Sequence, residues 1–377
     1  YHNLLYMYSV LDMLSRALSD KKFLDKVSQI GLIRGKWYTS ESVAEMGQEN
    51  VLKASAIPVY DLSAMTAKRV ASYWVKQASP FLSILPGDLQ TVYIDPQVRE
   101  LETLGVEIRY DTEVCDVQMQ DGTVAAVVLR DGTKLSADIY ALCTPFEVTR
   151  QWLRDDLYAA DPELGNMHFL EAQPMAALHL RLRKTIPDLP QEHVFFHGSH
   201  YALSFIDITP HWKTQTGGQE LSFISSNYSP LNAVSAESAK DLLLKEIGEY
   251  LPIASADVES WELNPNTNVP LFINTIGAWS NRPRAKTKIK NLYLSGDYVK
   301  NAIDLACMEG AVSSALEASA EILRDYVATD SLPIVQVPPE WPRAILVLVR
   351  ILMVPFVAFA RLLAWFEEKF FPHQPYA

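Results

Sequence analysis

The sequence predicts an α/β chain with an α+β portion, built on a sheet interleaved with a mixed-sheet and helical region, and ending in an amphipathic membrane helix. Three observations predict it. Residues 1–79 place apolar side chains at helical spacing, residues 80–142 pass from a helix into alternating β-rich runs, and residues 291–312 read as a buried strand leading into a helix. At 377 residues, 49% hydrophobic and 21% charged, the chain is long enough for roughly two domains. With 15 Gly, 22 Pro and 3 Cys it is neither disordered, nor collagen-like, nor a disulfide scaffold. A net charge of −12 opposes general nucleic-acid binding, which needs a positive surface to displace counterions. Cys115, Cys143 and Cys307 are widely spaced, with no CxxC, which favours a reducing compartment and opposes a zinc site. Residues 1–30 carry no basic stretch followed by an apolar run, as a secretory leader would.

The elements follow in order. Leu4, Leu5, Tyr8, Leu11, Met13 and Leu14 mark a first helix, Ser40–Glu41–Ser42 a helix start, and Val70 to Val75 another apolar face. These read as packing helices of a substrate or cap domain. Composition changes at Pro80. After the Pro86–Gly87–Asp88 turn, Leu89 to Leu104 is amphipathic and stops at Gly105, placed where a left-handed C′ residue costs least. Val106 to Tyr110 alternates as a strand. Val114–Met119 and Val124–Leu129 flank Asp121–Gly122 as a hairpin, Asp131–Gly132 makes the next turn, and Ala137–Leu142 is a buried strand leading to Thr144–Pro145.

A second β-rich region covers residues 169–275. Met175–Leu182, Val194–Phe196, Tyr201–Ile206 and Leu221–Asn227 read as strands, and Ser235–Leu251 as a helix with Lys240, Lys245 and Glu246 outward. His193, His197, His200 and His211 sit on different short strands and turns without a helical i, i+4 pair, so no metal site is read there.

Residues 291–326 are the most specific. A short strand ends in Gly296–Asp297, and a helix begins near Met308–Gly310. Glycine at a strand end lets a ligand approach the backbone. A carboxylate beside it accepts from a sugar-type hydroxyl. A helix N-terminus offers unpaired N–H groups to an anionic or polarised ring oxygen.

Residues 281–298, Asn281-Arg-Pro-Arg through Gly-Asp-Tyr298, together with Cys307-Met-Glu-Gly-Ala-Val312, resemble the C-terminal flavin motif of the FAD-dependent amine oxidase and phytoene desaturase superfamily. The Gly-Asp-Tyr and Met-Glu-Gly-Ala pieces are most similar to its carotenoid-desaturase branch. Leu89–Leu142 resembles the family's middle portion through Leu104–Arg109, Thr112–Val114 and Asp131–Asp138, and the likeness covers roughly residues 80–325.

The resemblance implies an FAD-binding Rossmann-like sheet, incomplete in this chain. No GxGxxG occurs, since Gly31/Gly35 and Gly217–Gly218 are wrongly spaced, and the family's Rossmann strand–GxGxxG–helix is expected to precede residue 1. The chain then divides into residues 80–155 and 286–328 as FAD-binding portions and 156–285 as substrate domain by the resemblance, with 1–79 as the helical part of the substrate domain and 329–377 as a membrane-association tail by their own patterning. The resemblance also implies that the backbone of Val114 meets the adenine end of FAD. Gly296 and Asp297 meet its pyrophosphate and ribityl portion, and Met308, Glu309, Gly310 and Ala311 lie against the isoalloxazine.

In the tail, Ala344–Phe366 is 23 residues with only Arg350 and Arg361 charged. Arg343, Arg350 and Arg361 fall on one narrow helical face, Pro355 is expected to kink the helix, and Trp341, Trp365, Phe366, Phe370 and Phe371 bracket it. The helix therefore lies in a bilayer interface with the arginine stripe in the headgroups, spans the bilayer, or docks on a partner protein.

The function expected is that of a peripheral, monotopic membrane flavoprotein on a cytoplasmic or stromal face, taking a hydride from a long apolar isoprenoid or carotenoid-type substrate. Electrons pass to a quinone or another acceptor in the bilayer. No catalytic base stands out, although Asp304 and Tyr298 lie near the motif. The alternatives are a flavin-free subunit of a membrane complex and a terpenoid isomerase or dehydroxylase. A soluble amine oxidase is disfavoured by the apolar tail.

Overall fold

The computed structural model describes residues 1–371 apart from 17–20, 59, 77–82, 213–217 and scattered positions between 328 and 340. The change of composition at Pro80, and Gly217, lie outside the described residues.

The N-terminal segment is helical, as its spacing predicts: α1 (His2–Leu14), α2 (Lys21–Asp25), α3 (Gln29–Arg34), α4 (Glu41–Ser55) and α5 (Ala64–Lys76). Ser28 Oγ accepts from the Gly31 N–H at 3.1 Å and Ser40 Oγ from the Val43 N–H at 3.3 Å, each satisfying a donor of the first turn. Next, α6 (Asp95–Thr103) follows a wider turn at Gln90–Ile94. It closes as expected: Gly105 has φ +81°, and the Gly105 and Val106 N–H groups donate to the Glu102 and Leu101 carbonyls.

The strand expected at Val106–Tyr110 does not form. That segment is irregular and mostly exposed, and no ladder takes its N–H and C=O groups. Alternation describes two faces, but a strand also needs a partner backbone.

The meander is as expected. Strands β1 (Val114–Gln120), β2 (Thr123–Leu129) and β3 (Lys134–Leu135) pair antiparallel, and the β1–β2 turn has positive φ at both Asp121 (+51°) and Gly122 (+79°). That is the turn whose twist matches a hairpin. The chain continues through β4 (Tyr140–Leu142), α7 (Phe146–Trp152), α8 (Asp155–Ala160) and β5 (Glu171–Gln173). It then forms β6 (Ala176–Leu182), β7 (Val194–Phe195), β8 (Leu203–Asp207), β9 (Gln219–Ser225), α9 (Ala236–Tyr250) and β10 (Val258–Pro265). The last elements are β11 (Leu271–Ile273), α10 (Ala278–Asn281), β12 (Leu292–Leu294), α11 (Met308–Ile322) and α12 (Arg343–Phe370).

These elements make two units. One comprises residues 77–112 and 174–270. Its antiparallel sheet has the order β10-β6-β9-β8-β7, with β6 and β9 alternating buried and half-buried positions along their length. Leu178, Leu180, Leu221 and Phe223 share one core with Leu243 and Ile247 of α9. Lys240 and Glu246 of α9 are not outward as expected; both are buried. Lys240 Nζ pairs with Glu237 and Asp241 at 2.6 and 2.7 Å and lies over Trp261, while Glu246 accepts from the His200 and Tyr201 N–H groups. Polar residues flanking an apolar stripe are buried when their heads find partners. Lys245 is exposed.

The other unit comprises residues 1–76, 113–173 and 271–377. Here β4 and β12 run parallel, β5 pairs antiparallel with β11, and the β1–β3 sheet is tied in through Asn291, whose side chain bonds both the N–H and the carbonyl of Val124. Its main core gathers Tyr140, Phe146, Leu292, Tyr293, Leu294 and Tyr298.

The tail forms one continuous helix, α12, with Pro355 inside it, and the arginines of its stripe have partners within the chain. Arg350 pairs with Asp12 of α1 at 2.6 Å, Arg343 Nε donates to the Ser15 carbonyl, and Arg361 pairs with Glu368. An arginine gains more from a half-buried carboxylate than from water, so the stripe becomes the docking face. Val357, Ala360 and Ala364 pack with Leu5 and Tyr8, whereas Ile345, Leu348, Leu352, Phe356, Phe359 and Leu362 are exposed. The helix is long and apolar enough to cross a membrane.

Candidate functional site

The parallel strands β4 and β12 end side by side. The Ser295 N–H donates to the Leu142 carbonyl at 2.9 Å, carrying the pairing one residue past β12. Beyond them, α7 begins at Phe146 and α11 at Met308; the carboxyl ends of parallel strands are where open α/β sheets bind ligands.

Gly296, at the exit of β12, has φ +157°, and a Cβ there would lie 2.6 Å from Tyr298 Cε1. Its N–H donates to Ser314 Oγ of α11 at 2.9 Å. Tyr298 is fully buried, its hydroxyl 3.2 Å from Thr149 Oγ1, and burial pushes that phenol well above its ordinary range.

Beneath the loop lies Arg282, whose guanidinium is entirely buried. It donates to three successive carbonyls, those of Asp297 (3.0 Å), Tyr298 (3.0 Å) and Val299 (2.6 Å), and its Nη1 stands 3.5 Å from Asp304 Oδ1. Burial draws its pKa down, opposed by the nearby carboxylates of Asp304 and Asp297. The Asp297 carboxyl is pushed up by burial, with Arg282 acting against the rise.

Asp304 sits in left-handed backbone (φ +59°), accepts from Trp279 Nε1 at 3.2 Å and lies 3.5 Å from Arg69. Trp279 is held in turn by Asp25, whose carboxylate accepts the Trp279 and Ser280 N–H groups at 3.1 Å each. The loop is also sewn to α11. Asn301 Nδ2 donates to the Gly310 carbonyl at 3.1 Å, and the Ala302 N–H donates to Glu317 at 2.9 Å.

The start of α11 is open. Cys307 Sγ accepts the Gly310 N–H at 3.3 Å as a cap, while Met308 and Glu309 are exposed and the Met308 N–H has no acceptor among the described residues. Gly310 has no room for a side chain, because its Cβ would lie 2.2 Å from the Leu305 carbonyl oxygen. Ala311 is half-buried in the same turn.

The structure therefore brings together Gly296, Asp297, Met308, Glu309, Gly310 and Ala311. Val114, the first residue of β1 and paired with Leu129, makes no hydrogen bond to any of them. Glu147, in the first turn of α7, joins the list of titratable groups: both its carboxylate oxygens are closed to solvent without a hydrogen-bond partner. Burial, with the charge of Asp297, raises its pKa. Sequence reasoning passed over Glu147, Arg282 and Asp25. An acid at a helix start reads as a dipole partner, and Arg282, although inside the 281–298 motif, carries no local sign that it is buried.

A partly capped helix N-terminus with the Met308 N–H still open, a backbone free of Cβ at the strand exit and a carboxylate near a buried guanidinium form a donor and acceptor set. It fits a group carrying a polarised ring oxygen and a hydroxylated, phosphorylated chain.

Residues 86–323 match the family described as flavin containing amine oxidoreductase. Among similar proteins, the 15-cis-phytoene desaturase of Solanum lycopersicum is 23% identical over 240 residues, covering 61% of this chain and 40% of that protein. The 15-cis-phytoene desaturase of Synechococcus elongatus is 20% identical over 334 residues, 83% of this chain and 69% of that protein. A solved putrescine oxidase bound to putrescine superimposes with a TM-score of 0.60 at 15% identity, over 84% of this chain and 73% of that one, which shows an amine oxidase-type α/β fold. The matched stretch spans about 40% of the length of the plant desaturases.

Proposed function

This chain belongs to the flavin containing amine oxidoreductases, a family of FAD-dependent enzymes, and we propose that it acts as a desaturase of a long apolar isoprenoid or carotenoid-type substrate at a membrane surface. The observation that carries the reading is that residues 86–323, which hold the strand-end site, match the family, while the chain is similar over 240 and 334 residues to proteins named as 15-cis-phytoene desaturases. The exposed apolar face of α12, in the same unit as the site, supports a substrate drawn from a bilayer and a peripheral position on a cytoplasmic or stromal face.

Bound FAD supplies the acceptor for a hydride from an allylic C–H bond. In this chain the open first turn of α11, Met308 to Ala311, holds the ring end of the cofactor. Gly296 lets its phosphorylated chain approach the backbone, and Asp297 accepts from a ribityl hydroxyl. The backbone of Val114 takes the adenine end. Arg282 acts as a positioning residue, fixing the carbonyls of Asp297–Val299 and with them the carboxylate direction. A bilayer quinone is the electron acceptor of this reading.

The test is to reconstitute the complete natural polypeptide in liposomes carrying 15-cis-phytoene and a quinone. The reading expects absorption to move to longer wavelength as conjugation lengthens, with quinone reduced in step. Putrescine oxidation with peroxide release and an unchanged polyene would replace it with an amine oxidase. A folded preparation that releases no FAD on acid treatment would leave a flavin-free subunit.

A further inference from the structure

Helices α1, α5 and α12 border an apolar cavity of about 250 Å³. Among the described residues, Leu11 and Leu14 of α1 and Leu346 and Val349 of α12 line it, with Lys68 and Ser72 of α5 as its polar wall. None of these falls within 86–323, the stretch that matches the family. On the scale of a water's share of liquid volume, the cavity has room for the end of a hydrocarbon chain, on the order of ten carbon atoms.

The wall and the rim decide what fills it. Both polar groups of the wall are committed to the protein. Lys68 Nζ donates to the Arg16 carbonyl at 2.6 Å and has a further partner, and Ser72 Oγ donates to the Lys68 carbonyl at 2.8 Å. Groups already bonded gain little from a headgroup, whereas a lining of leucine and valine rewards hydrocarbon. The rim is continuous with the apolar face of α12. Ile345 and Val349 line the cavity while staying 51% and 39% exposed, and Leu348 and Leu352 stand exposed at the spacing that shares their face.

The helix that forms the polar wall also borders the candidate flavin site. Arg69 of α5 lies 3.5 Å from Asp304 in the loop before α11. Tyr73, one turn on, is close enough to Asp304 and Glu309 for their charges to add to the rise that burial gives its phenol. One helix thus touches both the cavity and the approach to the first turn of α11.

We propose that the α1–α5–α12 cavity binds one end of the neutral hydrocarbon substrate, taken from the bilayer before the chain reaches the flavin. The inference deepens the desaturase reading and rests on its apolar substrate and its bilayer. A hydrocarbon without a headgroup enters to its full depth, whereas a phospholipid acyl chain stays tethered at the interface.

The test uses the complete, flavin-bearing polypeptide in mild detergent loaded with 15-cis-phytoene. Native mass spectrometry is expected to find about one hydrocarbon retained per chain. Val349→Phe, which fills the cavity, should cut retention about tenfold, the equivalent of leaving about two methylenes unburied, with the flavin spectrum and cooperative melting unchanged. Leu14→Phe fills the cavity from α1 and should do the same. Leu352→Gln, on the exposed face of α12, should weaken liposome binding and leave retention intact. In liposomes, Val349→Phe should raise KM for the hydrocarbon about tenfold at constant kcat, with reoxidation of the reduced flavin by quinone unchanged. Phospholipid retained in place of the hydrocarbon overturns the proposal, as do retention and KM indifferent to both phenylalanine variants. Desaturation without any retained hydrocarbon overturns the site and leaves the redox reading. Retention that both phenylalanine variants cut, without desaturation by the unaltered protein, overturns the redox reading and leaves the site.

Discussion

Arg282 concentrates the residue-scale physics of the site. Its guanidinium has given up water for three carbonyls and an aspartate, an exchange that holds only while every partner stays in place. Arg282→Met should destabilise the unit by about 3–5 kcal/mol by stripping three carbonyls of their donor and Asp304 of one of its two guanidinium neighbours, and flavin retention should fall with it, read by urea unfolding and by absorbance of the purified protein. Gly310→Ala forces a methyl against the Leu305 carbonyl. A cost of about 1–3 kcal/mol is expected in melting experiments, with weaker FAD binding because the α11 first turn moves.

Glu147 gives a pH prediction. Its folded pKa is raised, so between its ordinary and folded values the native state holds more protons than the unfolded one, and stability falls as pH rises through that window. Glu147→Gln should stabilise the protein at neutral pH and flatten that fall in urea titrations from about pH 4 to about pH 8. The slope should not vanish, because burial also raises Asp297 and Glu317.

At the scale of elements, local chemistry decided what was legible. The hairpin at Asp121–Gly122, the cap at Gly105 and the helix start at Ser40 were readable because each depends on a few neighbouring residues. The segment Val106–Tyr110 was not, because its alternation carried no information about a missing partner. The docking of α12 was half legible: sequence placed three arginines on one face, but Asp12, more than three hundred residues away, chose which way that face turned. Truncation before Trp341 is therefore not expected to yield a well-behaved soluble protein. Removing α12 uncovers Leu5 and Tyr8 of α1 and leaves Asp12 without Arg350, so size-exclusion should show aggregation rather than a monodisperse peak.

At the scale of the whole molecule, the chain builds two units with separate cores, one assembled from three segments and the other from two. The candidate flavin residues all belong to the first. Excess FAD at about a hundred times its dissociation constant should stabilise that unit by about 2.7 kcal/mol. Calorimetry should show one transition rising while that of the β6–β10 sheet stays in place, and equal movement of both would contradict this division.

Sequence alone determined the family, through contiguous motifs at 281–298 and 307–312, and the presence of the strands, turns and helices whose signals span a few residues. Only tertiary structure decided that Gly296 and Asp297 stand against the start of α11, that Arg282 and Glu147 are buried beside them, and that the α12 arginines meet α1. The reason is physical. A turn or a cap is fixed by torsional preference within one segment, whereas burial and charge pairing depend on which distant segment excludes the water.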